Sequence, residues 1–241
     1  MKILVTGGGS GLGKSITTAL AKDENNIVYF TYNTSFFNAK EIEKEYKNTV
    51  SIKCDFKNIN ELNELKEKIE DFNLDLLVNN AYSGEAIKTY FHKIPTTEFQ
   101  TDFTNNILPT VIITQSVISS FRKNKKSGKI ITILSSFLMN SPPTGASIYV
   151  ANKAYLKSLV NSWATENIKF NISSNSISPS FMQTNLTKDV DERIIEQMKD
   201  SHPLKRLLKI EEVAETVVFL KNSSSQINGI DIPLNAGINI K

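Results

Sequence analysis

The sequence predicts an α/β fold in which one parallel sheet of about seven strands carries helices on both faces. Two observations support this prediction. Short apolar runs alternate with longer amphipathic runs along the chain, as expected of repeated strand–helix units. Four of the short runs are rich in Ile, Val, Leu and aromatic residues with little alternation, which is typical of parallel strands covered on both faces. The candidate strands are residues 2–6, 27–32, 50–54, 74–79, 129–134, 172–177 and 230–234.

The segments between the strands have helical spacing. Residues 59–70, for example, place apolar side chains at three- and four-residue steps, which is the spacing of one helix face. Pro109 is expected to bend the longest candidate, because proline lacks an amide proton and clashes with the preceding turn. Right-handed crossovers between parallel strands then give a doubly wound sheet in one domain spanning residues 1–241. The candidate helices are residues 12–22, 59–70, 97–122, 147–166 and 210–221.

Composition excludes several functional classes. The 241 residues include 28 Lys and Arg against 25 Asp and Glu, an excess too small to indicate a nucleic-acid-binding face. Cys54 is the single cysteine, so no intrachain disulfide forms and a reducing compartment fits best. We find no signal peptide and no run of the roughly 18 apolar residues that span a membrane. His92 and His202 lack metal-ligand spacing. We therefore expect a soluble cytoplasmic protein without a metal, nucleic-acid or membrane partner.

A glycine-rich turn follows the first strand and opens a helix. Residues 6–13 read Thr-Gly-Gly-Gly-Ser-Gly-Leu-Gly. Glycines let the backbone approach a pyrophosphate, and the following helix directs its free N–H groups and dipole at it. We predict that this turn binds nucleotide phosphates; a plain strand–helix turn is the alternative. A P-loop is a second alternative, because Gly8 to Ser15 satisfies its pattern and Asp55 ends a strand where magnesium would be held.

Three residues form the candidate catalytic group. Tyr149 and Lys153 are four residues apart on a predicted helix and therefore share one face. A nearby ammonium should lower the pKa of the phenol, which is ordinarily near 10, so that it acts as general acid in reduction and general base in oxidation. Ser136 follows a strand and is placed to donate a hydrogen bond to a substrate oxygen. On these residues alone, an ordinary surface Tyr–Lys pair remains the alternative.

The chain resembles the short-chain dehydrogenase/reductase family from end to end. The resemblance implies a Rossmann fold and hydride transfer to or from a nicotinamide cofactor, and it supports a strand at the polar run 172–177. It also removes the P-loop alternative, because the matching motifs occur in the family's order. They are the glycine turn 6–13, Cys54-Asp55, Asn79-Asn80-Ala81, Asn106, Ser136 with Tyr149 thirteen residues later, Lys153, the segment 178–184, Asn228-Gly229 and residues 234–237.

The resemblance implies a role for each catalytic candidate. Tyr149 is expected to exchange a proton with the substrate oxygen, and Ser136 to polarise the carbonyl. Lys153 is expected to lower the pKa of Tyr149 and to bind the nicotinamide ribose. Asn106 is expected to hold a water in a proton relay to Lys153.

The resemblance also implies the cofactor-binding residues. The carboxamide end is expected to contact Met182 and Thr184. Tyr82 and Ser180 stand where the family has glycine, and we expect them to change the pocket shape without removing a reacting group. The expected cofactor-binding residues are Gly7, Gly9, Ser10, Gly11, Leu12, Gly13, Tyr32, Asn33, Thr34, Asp55, Phe56, Asn80, Ala81, Tyr149, Lys153, Pro179, Met182 and Thr184.

The end of the second strand predicts which cofactor is used. An acidic residue there would accept the ribose 2′-hydroxyl and repel a 2′-phosphate. Tyr32 stands at that position instead. It is followed by Asn33, Thr34 and Ser35, which are suited to receive a phosphate, with Lys40 as a charge partner. The sequence therefore predicts NADP(H) in preference to NAD(H).

The substrate is predicted from the segments that should border the pocket and from a basic loop. Segments 83–95 and 185–206 are expected to border the pocket, the second as a lid. The basic loop 122–129, with Lys169, resembles the carrier-docking patch of the family's 3-oxoacyl-carrier-protein reductases, and a solvated helix end is the alternative. The leading interpretation is reduction of a 3-oxoacyl thioester by a homodimer or homotetramer. The alternatives are a sugar or polyol dehydrogenase and a non-catalytic NADP-binding regulatory protein. The expected pocket lining includes Tyr90, Phe91, Leu186, Met198 and Leu204.

Overall fold

The computed structural model describes residues 1–87, 89–139, 141–184 and 191–238, which form one seven-stranded sheet. All neighbouring strands pair in parallel, in the order β3-β2-β1-β4-β5-β6-β7. The predicted fold class is therefore confirmed, whereas a single domain over residues 1–241 stays a prediction. The strands are β1 (Lys2–Val5), β2 (Ile27–Tyr32), β3 (Thr49–Lys53), β4 (Leu76–Asn79), β5 (Gly128–Ile133), β6 (Ile172–Pro179) and β7 (Asp231–Leu234).

Eight α-helices lie among the described residues, and two of them were not predicted. Helix α2 buries only Ala39 and Ile42, and α7 buries only Ile195, so neither leaves a clear apolar period in the sequence. In the parts of the chain that the structure describes, no helix is long and apolar enough to span a membrane. The helices are α1 (Gly11–Ala21), α2 (Phe36–Glu45), α3 (Ile59–Phe72), α4 (Thr96–Asp102), α5 (Leu108–Lys123), α6 (Ser147–Asn167), α7 (Glu192–Ser201) and α8 (Ile210–Asn222).

The long helix predicted at 97–122 is interrupted, but not at Pro109. A π-helical turn, Phe103–Ile107, separates α4 from α5. Pro109 falls in the first turn of α5, where its missing amide proton is tolerated. The wider turn holds Asn106 in a buried position beside the loop that follows β4.

The polar strand β6 is buried along its whole length. Two of its four serine hydroxyls are satisfied from the next strand, because Ser176 and Ser178 each donate to Asp231 at 2.9 Å. The Asn175 amide donates to the carbonyl of Ile227 at 2.8 Å. Hydrogen bonding of this kind removes most of the penalty for burying polar groups, which explains how a serine-rich segment forms a central strand.

Two large apolar clusters, one on each face of the sheet, pack the helices against the strands. On one face α1 and α8 pack over the sheet, with Ile16, Leu20 and Val217 fully buried. On the other face α3, α5 and α6 contribute residues such as Leu65 and Val117. Because all strands run the same way, the loops that follow their carboxyl ends meet at one edge of the sheet. The candidate site lies at that edge.

Candidate active site

A cavity of about 720 Å³ lies at the carboxyl edge of the sheet, between the glycine turn and the loops after β2, β4, β5 and β6. All of the predicted cofactor-binding residues line it. Of the catalytic candidates, Asn106, Tyr149 and Lys153 line it and Ser136 does not. In the described residues, no group of three or more His, Cys, Asp or Glu side chains could hold a metal.

The glycine turn has the shape that a pyrophosphate requires. Gly7 and Gly11 have φ of +65° and +51°, in the left-handed region that favours glycine. A Cβ on Gly13 would collide with the Gly7 carbonyl oxygen, so its absence lets α1 pack against the turn. A Cβ on Gly11 would instead face open cavity, with Thr184 the nearest neighbour at 3.9 Å. The first amide groups of α1 therefore border space into which phosphates fit.

The loop after β4 is tied to this turn by hydrogen bonds. The Asn80 side chain donates to the carbonyls of Thr6 and Gly7 at 2.9 and 3.3 Å. The Asn80 and Ala81 amides both donate to the Thr6 hydroxyl, at 3.0 and 3.1 Å. The Asn-Asn-Ala segment thus fixes the floor of the cavity between its two ends.

Tyr149 and Lys153 lie together in the buried wall of the cavity, on the first turns of α6. Burial raises the pKa of Tyr149 to about 12, and a hydrogen bond with the Ser135 hydroxyl acts in the opposite direction. Burial lowers the pKa of Lys153 to about 8. The expected lowering of the Tyr149 pKa is therefore not found. Loss of hydration dominates, and the Lys153 ammonium donates to the Ile133 carbonyl at 2.8 Å while lying 5.7 Å from the Tyr149 ring centre.

The serine beside Tyr149 is Ser135 and not the predicted Ser136. Ser135 lines the cavity, and its hydroxyl acts to lower the pKa of the Tyr149 phenol. Ser136 does not line the cavity and is only 4% exposed, in the short helical turn that follows β5. The prediction counted thirteen residues back from Tyr149 through a loop, where one additional residue shifts the match. Ser135 has an extended backbone and Ser136 begins the helical turn, so the two adjacent side chains are placed differently, and only Ser135 lines the cavity with the phenol.

The side chain of Asn106 holds neighbouring protein groups. It accepts from the Ser83 amide at 2.7 Å and donates to the Asp102 carboxylate at 3.1 Å. Its main-chain carbonyl accepts from the Thr110 hydroxyl at 2.9 Å. Asn106 thus fixes the loop after β4 against the π-helical turn. Its role in holding a relay water stays a prediction.

At the end of the cavity beside β2, the lysine that lines the cavity is not the predicted one. Lys40 does not line the cavity, because it forms an ion pair with Glu43 at 2.6 Å and lies over the Phe36 ring. Lys57, which the sequence analysis did not select, lines this end together with the predicted Tyr32, Asn33 and Thr34 and with Ser35. Its position two residues after Asp55 was the available signal.

The substrate end is formed by parts of both predicted segments. Ser83, Glu85, Ala86 and Ile87 line it from the first, and Asp191 and Ile194 from the second. Tyr90 and Phe91 are exposed and, like Met198 and Leu204, do not line the cavity. Leu186 and the rest of 185–190 lie outside the described residues. Phe137 and Phe181 also line the cavity, and the sequence analysis did not select them. Their only signal in the sequence is that they lie next to selected motif residues.

The comparisons with known proteins identify the family. A family model described as "Enoyl-(Acyl carrier protein) reductase" matches residues 7–239. The chain is 31% identical over 239 residues to a 3-oxoacyl-(acyl-carrier-protein) reductase of Buchnera aphidicola, covering 98% of this chain and 96% of the relative. It is 29% identical to an L-xylulose reductase of Caenorhabditis elegans, covering 98% and 94%.

Solved structures agree in fold over nearly the whole chain. A 3-ketoacyl-(acyl-carrier-protein) reductase of Brucella melitensis, complexed with NADH, has a TM-score of 0.88 at 23% identity and covers 99% of this chain and 98% of that one. ElxO with NADP bound has a TM-score of 0.86 at 26% identity, covering 98% and 97%. The family-model match and the 31% identical relative show that this chain belongs to the short-chain dehydrogenase/reductase family of oxidoreductases.

Proposed function

We propose that the protein reduces a carbonyl group with NADP(H), with Tyr149 as general acid, Ser135 as hydrogen-bond donor to the reacting oxygen and Lys153 as the cation beside them. The observation that carries the proposal is the phenol of Tyr149 next to a buried ammonium, in the same cavity as Ser135 and the glycine turn. The cavity fits a dinucleotide because the turn opens onto free space at Gly11, at the start of α1, where phosphates would lie.

The protonation states of the two side chains suit carbonyl reduction. A bound nicotinamide cofactor supplies the hydride. With its pKa raised to about 12, Tyr149 is a protonated phenol at neutral pH and is ready to donate to an oxygen that becomes negative. Ser135 lies beside the same hydroxyl and donates a second hydrogen bond to that oxygen. With a pKa of about 8, Lys153 is mostly an ammonium at neutral pH.

The adjacent serines provide a matched test. We expect Ser135→Ala to lower kcat/KM for carbonyl reduction by roughly 100-fold, as for removal of an oxyanion donor. Ser136→Ala, which alters a buried neighbour outside the cavity, should stay within about threefold of the parent. The assay is loss of NADPH absorbance with a panel of ketones and 3-oxoacyl thioesters, with Tyr149→Phe as the inactive reference. The reverse order of effects would contradict the assignment.

We propose NADP(H) as the preferred cofactor because the cavity end beside β2 is lined by Lys57 with Asn33, Thr34 and Ser35. An ammonium near the ribose favours a 2′-phosphate by charge. We expect Lys57→Met to lower the ratio of kcat/KM for NADPH over NADH by about tenfold. Lys40→Met, which removes a lysine outside the cavity, should leave the ratio unchanged. A parent protein that prefers NADH would contradict the proposal.

We propose a 3-oxoacyl thioester as the substrate, supported by the 31% identical 3-oxoacyl-(acyl-carrier-protein) reductase. The basic loop 122–129 precedes β5, so it lies at the amino edge of the sheet, about 20 Å from the cavity along six strand residues. Lys123 pairs with Glu70 at 3.0 Å and Lys126 pairs with Asp75 at 2.8 Å. The distance of this loop from the cavity and the ion pairs that neutralise two of its lysines both argue against docking of a carrier protein there.

Charge reversal of the basic loop 122–129 tests whether a carrier protein docks there. Lys123→Glu, Lys125→Glu and Lys126→Glu together should leave kcat/KM on a small thioester within about threefold. A loss confined to the carrier-bound substrate would show that a carrier does dock at this loop.

A ketose or polyol is the second candidate substrate. The L-xylulose reductase at 29% identity and the Glu85 and Asp191 carboxylates at the substrate end favour it, because carboxylates accept hydrogen bonds from hydroxyl groups. The ratio of kcat/KM for a 3-oxoacyl thioester over a ketose separates the two candidates.

We also propose a cytoplasmic homodimer or homotetramer. The half-exposed Leu108 and Tyr155 on α5 and α6 and the buried, unpaired Cys54 support it. Light scattering of the purified protein tests the assembly.

A further inference from the structure

Tyr82 stands in the cavity wall where the family has glycine, and its ring packs against both of the proposed catalytic side chains Tyr149 and Lys153. The ring centres of Tyr82 and Tyr149 are 5.1 Å apart with an interplanar angle of 82°, an edge-to-face contact. The Lys153 ammonium lies 5.1 Å from the centre of the Tyr82 ring. Tyr82 is therefore in contact with both members of the pair.

The far end of the Tyr82 ring is held by a buried carboxylate. The Tyr82 hydroxyl donates to Asp102 at 2.8 Å, and the Asp102 side chain is buried. The same oxygen of Asp102 accepts from Asn152 at 2.8 Å and from Asn106 at 3.1 Å. These donors come from three elements: the loop after β4, the π-helical turn and α6. The ring is thus fixed at its hydroxyl while its face meets the ammonium.

The ammonium of Lys153 needs such a partner. It is a cation in a buried site, and its hydrogen bond to the Ile133 carbonyl uses one of its three N–H donors. The face of an aromatic ring carries negative potential and attracts a cation within about 6 Å of its centre. Tyr82 and Tyr149 present rings at 5.1 and 5.7 Å from the Lys153 nitrogen.

We propose that Tyr82 is a positioning residue whose ring face keeps the Lys153 ammonium charged and in place beside Tyr149, with Asp102 holding the ring. The consequence for catalysis rests on the proposed function, because it concerns the charge next to the general acid. The contact itself does not depend on which substrate is used.

The other charged groups nearby are known, so the effect of the ring can be separated from theirs. Tyr149 faces Lys153 from its own helix, and β5 contributes the Ile133 carbonyl and the Ser135 hydroxyl. Asp102 acts from behind the Tyr82 ring. Farther along the cavity wall are Asp55, Lys57, Glu85 and Asp191. A change from tyrosine to phenylalanine keeps the ring and all of these charged groups and removes only the hydrogen bond from the Tyr82 hydroxyl to Asp102, whose oxygen still accepts from Asn106 and Asn152.

The test measures the pKa of Lys153 in the cofactor-free protein by NMR of ¹³Cε-labelled lysine, with the signal assigned by its loss in Lys153→Met. We expect Tyr82→Leu to lower this pKa by about 0.5–1, the effect of removing one cation–π contact. Tyr82→Phe should restore the pKa to within about 0.3 of the parent value. If Tyr82→Leu does not fold, Tyr82→Met removes the ring while filling the space with a flexible side chain.

A kinetic profile extends the test. In carbonyl reduction, the alkaline limb of kcat/KM should move to lower pH in Tyr82→Leu by the same amount and stay in place in Tyr82→Phe. An unchanged Lys153 pKa in the ring-deleted variant would overturn the inference. A parent protein that oxidises no NADPH with any carbonyl would instead overturn the proposed function, and the NMR result would still decide the role of Tyr82.

Discussion

Replacing Lys153 with methionine should make the folded protein more stable at pH 7. Lys153 is 4% exposed, and burial lowers its pKa from the ordinary 10.5 to about 8. A difference of this size between the folded and unfolded states corresponds to about 3 kcal/mol of lost stability, since one pKa unit is about 1.4 kcal/mol. Methionine keeps most of the side-chain volume and carries no charge, and it gives up the hydrogen bond to Ile133, worth about 1 kcal/mol. The expected net gain is about 1–3 kcal/mol.

The stability gain of Lys153→Met over the parent protein should depend on pH in one direction. Below pH 8 the lysine is charged in both the folded and unfolded protein, so the parent bears the whole cost. Between pH 8 and 10.5 the folded lysine is neutral while the unfolded lysine remains charged, and the cost declines. The advantage of Lys153→Met over the parent should therefore be largest at neutral pH and shrink as the pH rises toward 10.

The assay is urea denaturation of the cofactor-free proteins at pH 7, 8, 9 and 10 at one protein concentration, because assembly would add to stability. Lys157→Met is the matched control one turn later on α6. Lys157 is 38% exposed and pairs with Asp231 at 3.0 Å, so its replacement should destabilise slightly or not at all. A Lys153→Met protein that is less stable than the parent at pH 7, or whose advantage does not depend on pH, would refute the reasoning.

Three further predictions follow from the same structure. Gly13→Ala should abolish NADPH binding measured by cofactor fluorescence and lower the melting temperature, because the new Cβ collides with the Gly7 backbone. Unchanged NADPH binding would contradict the assignment of the glycine turn as the phosphate-binding site. Asp231→Ala should cost about 2–5 kcal/mol in urea denaturation by leaving the buried Ser176 and Ser178 hydroxyls without their acceptor, and a cost below 1 kcal/mol would show that they find others. In carbonyl reduction, kcat/KM measured from pH 6 to 10 should fall as Lys153 loses its proton near pH 8, whereas a flat profile would exclude the ammonium from the reaction.

The sequence predicted the sheet well because its signal is local. Continuously apolar runs such as those of β1 and β4 cannot be exposed, and their order along the chain leaves few arrangements of a parallel sheet. Helix α2 was missed because it buries only two side chains, and its stability depends on packing that no local pattern records. The strand β6 needed the family resemblance, because two of its serine hydroxyls are paired by Asp231, which lies more than 50 residues later in the chain.

The site was predictable where it depends on motifs and less so where it depends on contacts between distant segments. The glycine turn and the Asn-Asn-Ala loop have fixed backbone geometry, so their residues line the cavity as expected. The serine was misplaced by one residue because spacing across a loop does not record which side chain turns inward. The Tyr82–Asp102 contact joins residues 20 apart, and nothing in either segment alone indicates it.

A comparison of two lysines shows why the buried charge at the site is better explained by chemistry than by stability. Lys129 is half-buried and donates to the carbonyls of Leu220, Lys221 and Ser223 at the end of α8, where a cation completes the helix terminus. Lys153 lies deeper, donates to the Ile133 carbonyl and faces tyrosine rings. Lys129 supplies a donor to carbonyls at the end of this helix, where the intrahelical donors run out, so its charge supports the fold. The carbonyl that Lys153 meets belongs to the last residue of β5, and burial works against the charged form of this lysine, so we expect an apolar side chain to be more stable at that position. A cation kept there against its burial cost, with a ring and a buried carboxylate arranged behind it, is what a site requires when it must hold positive charge beside a proton donor.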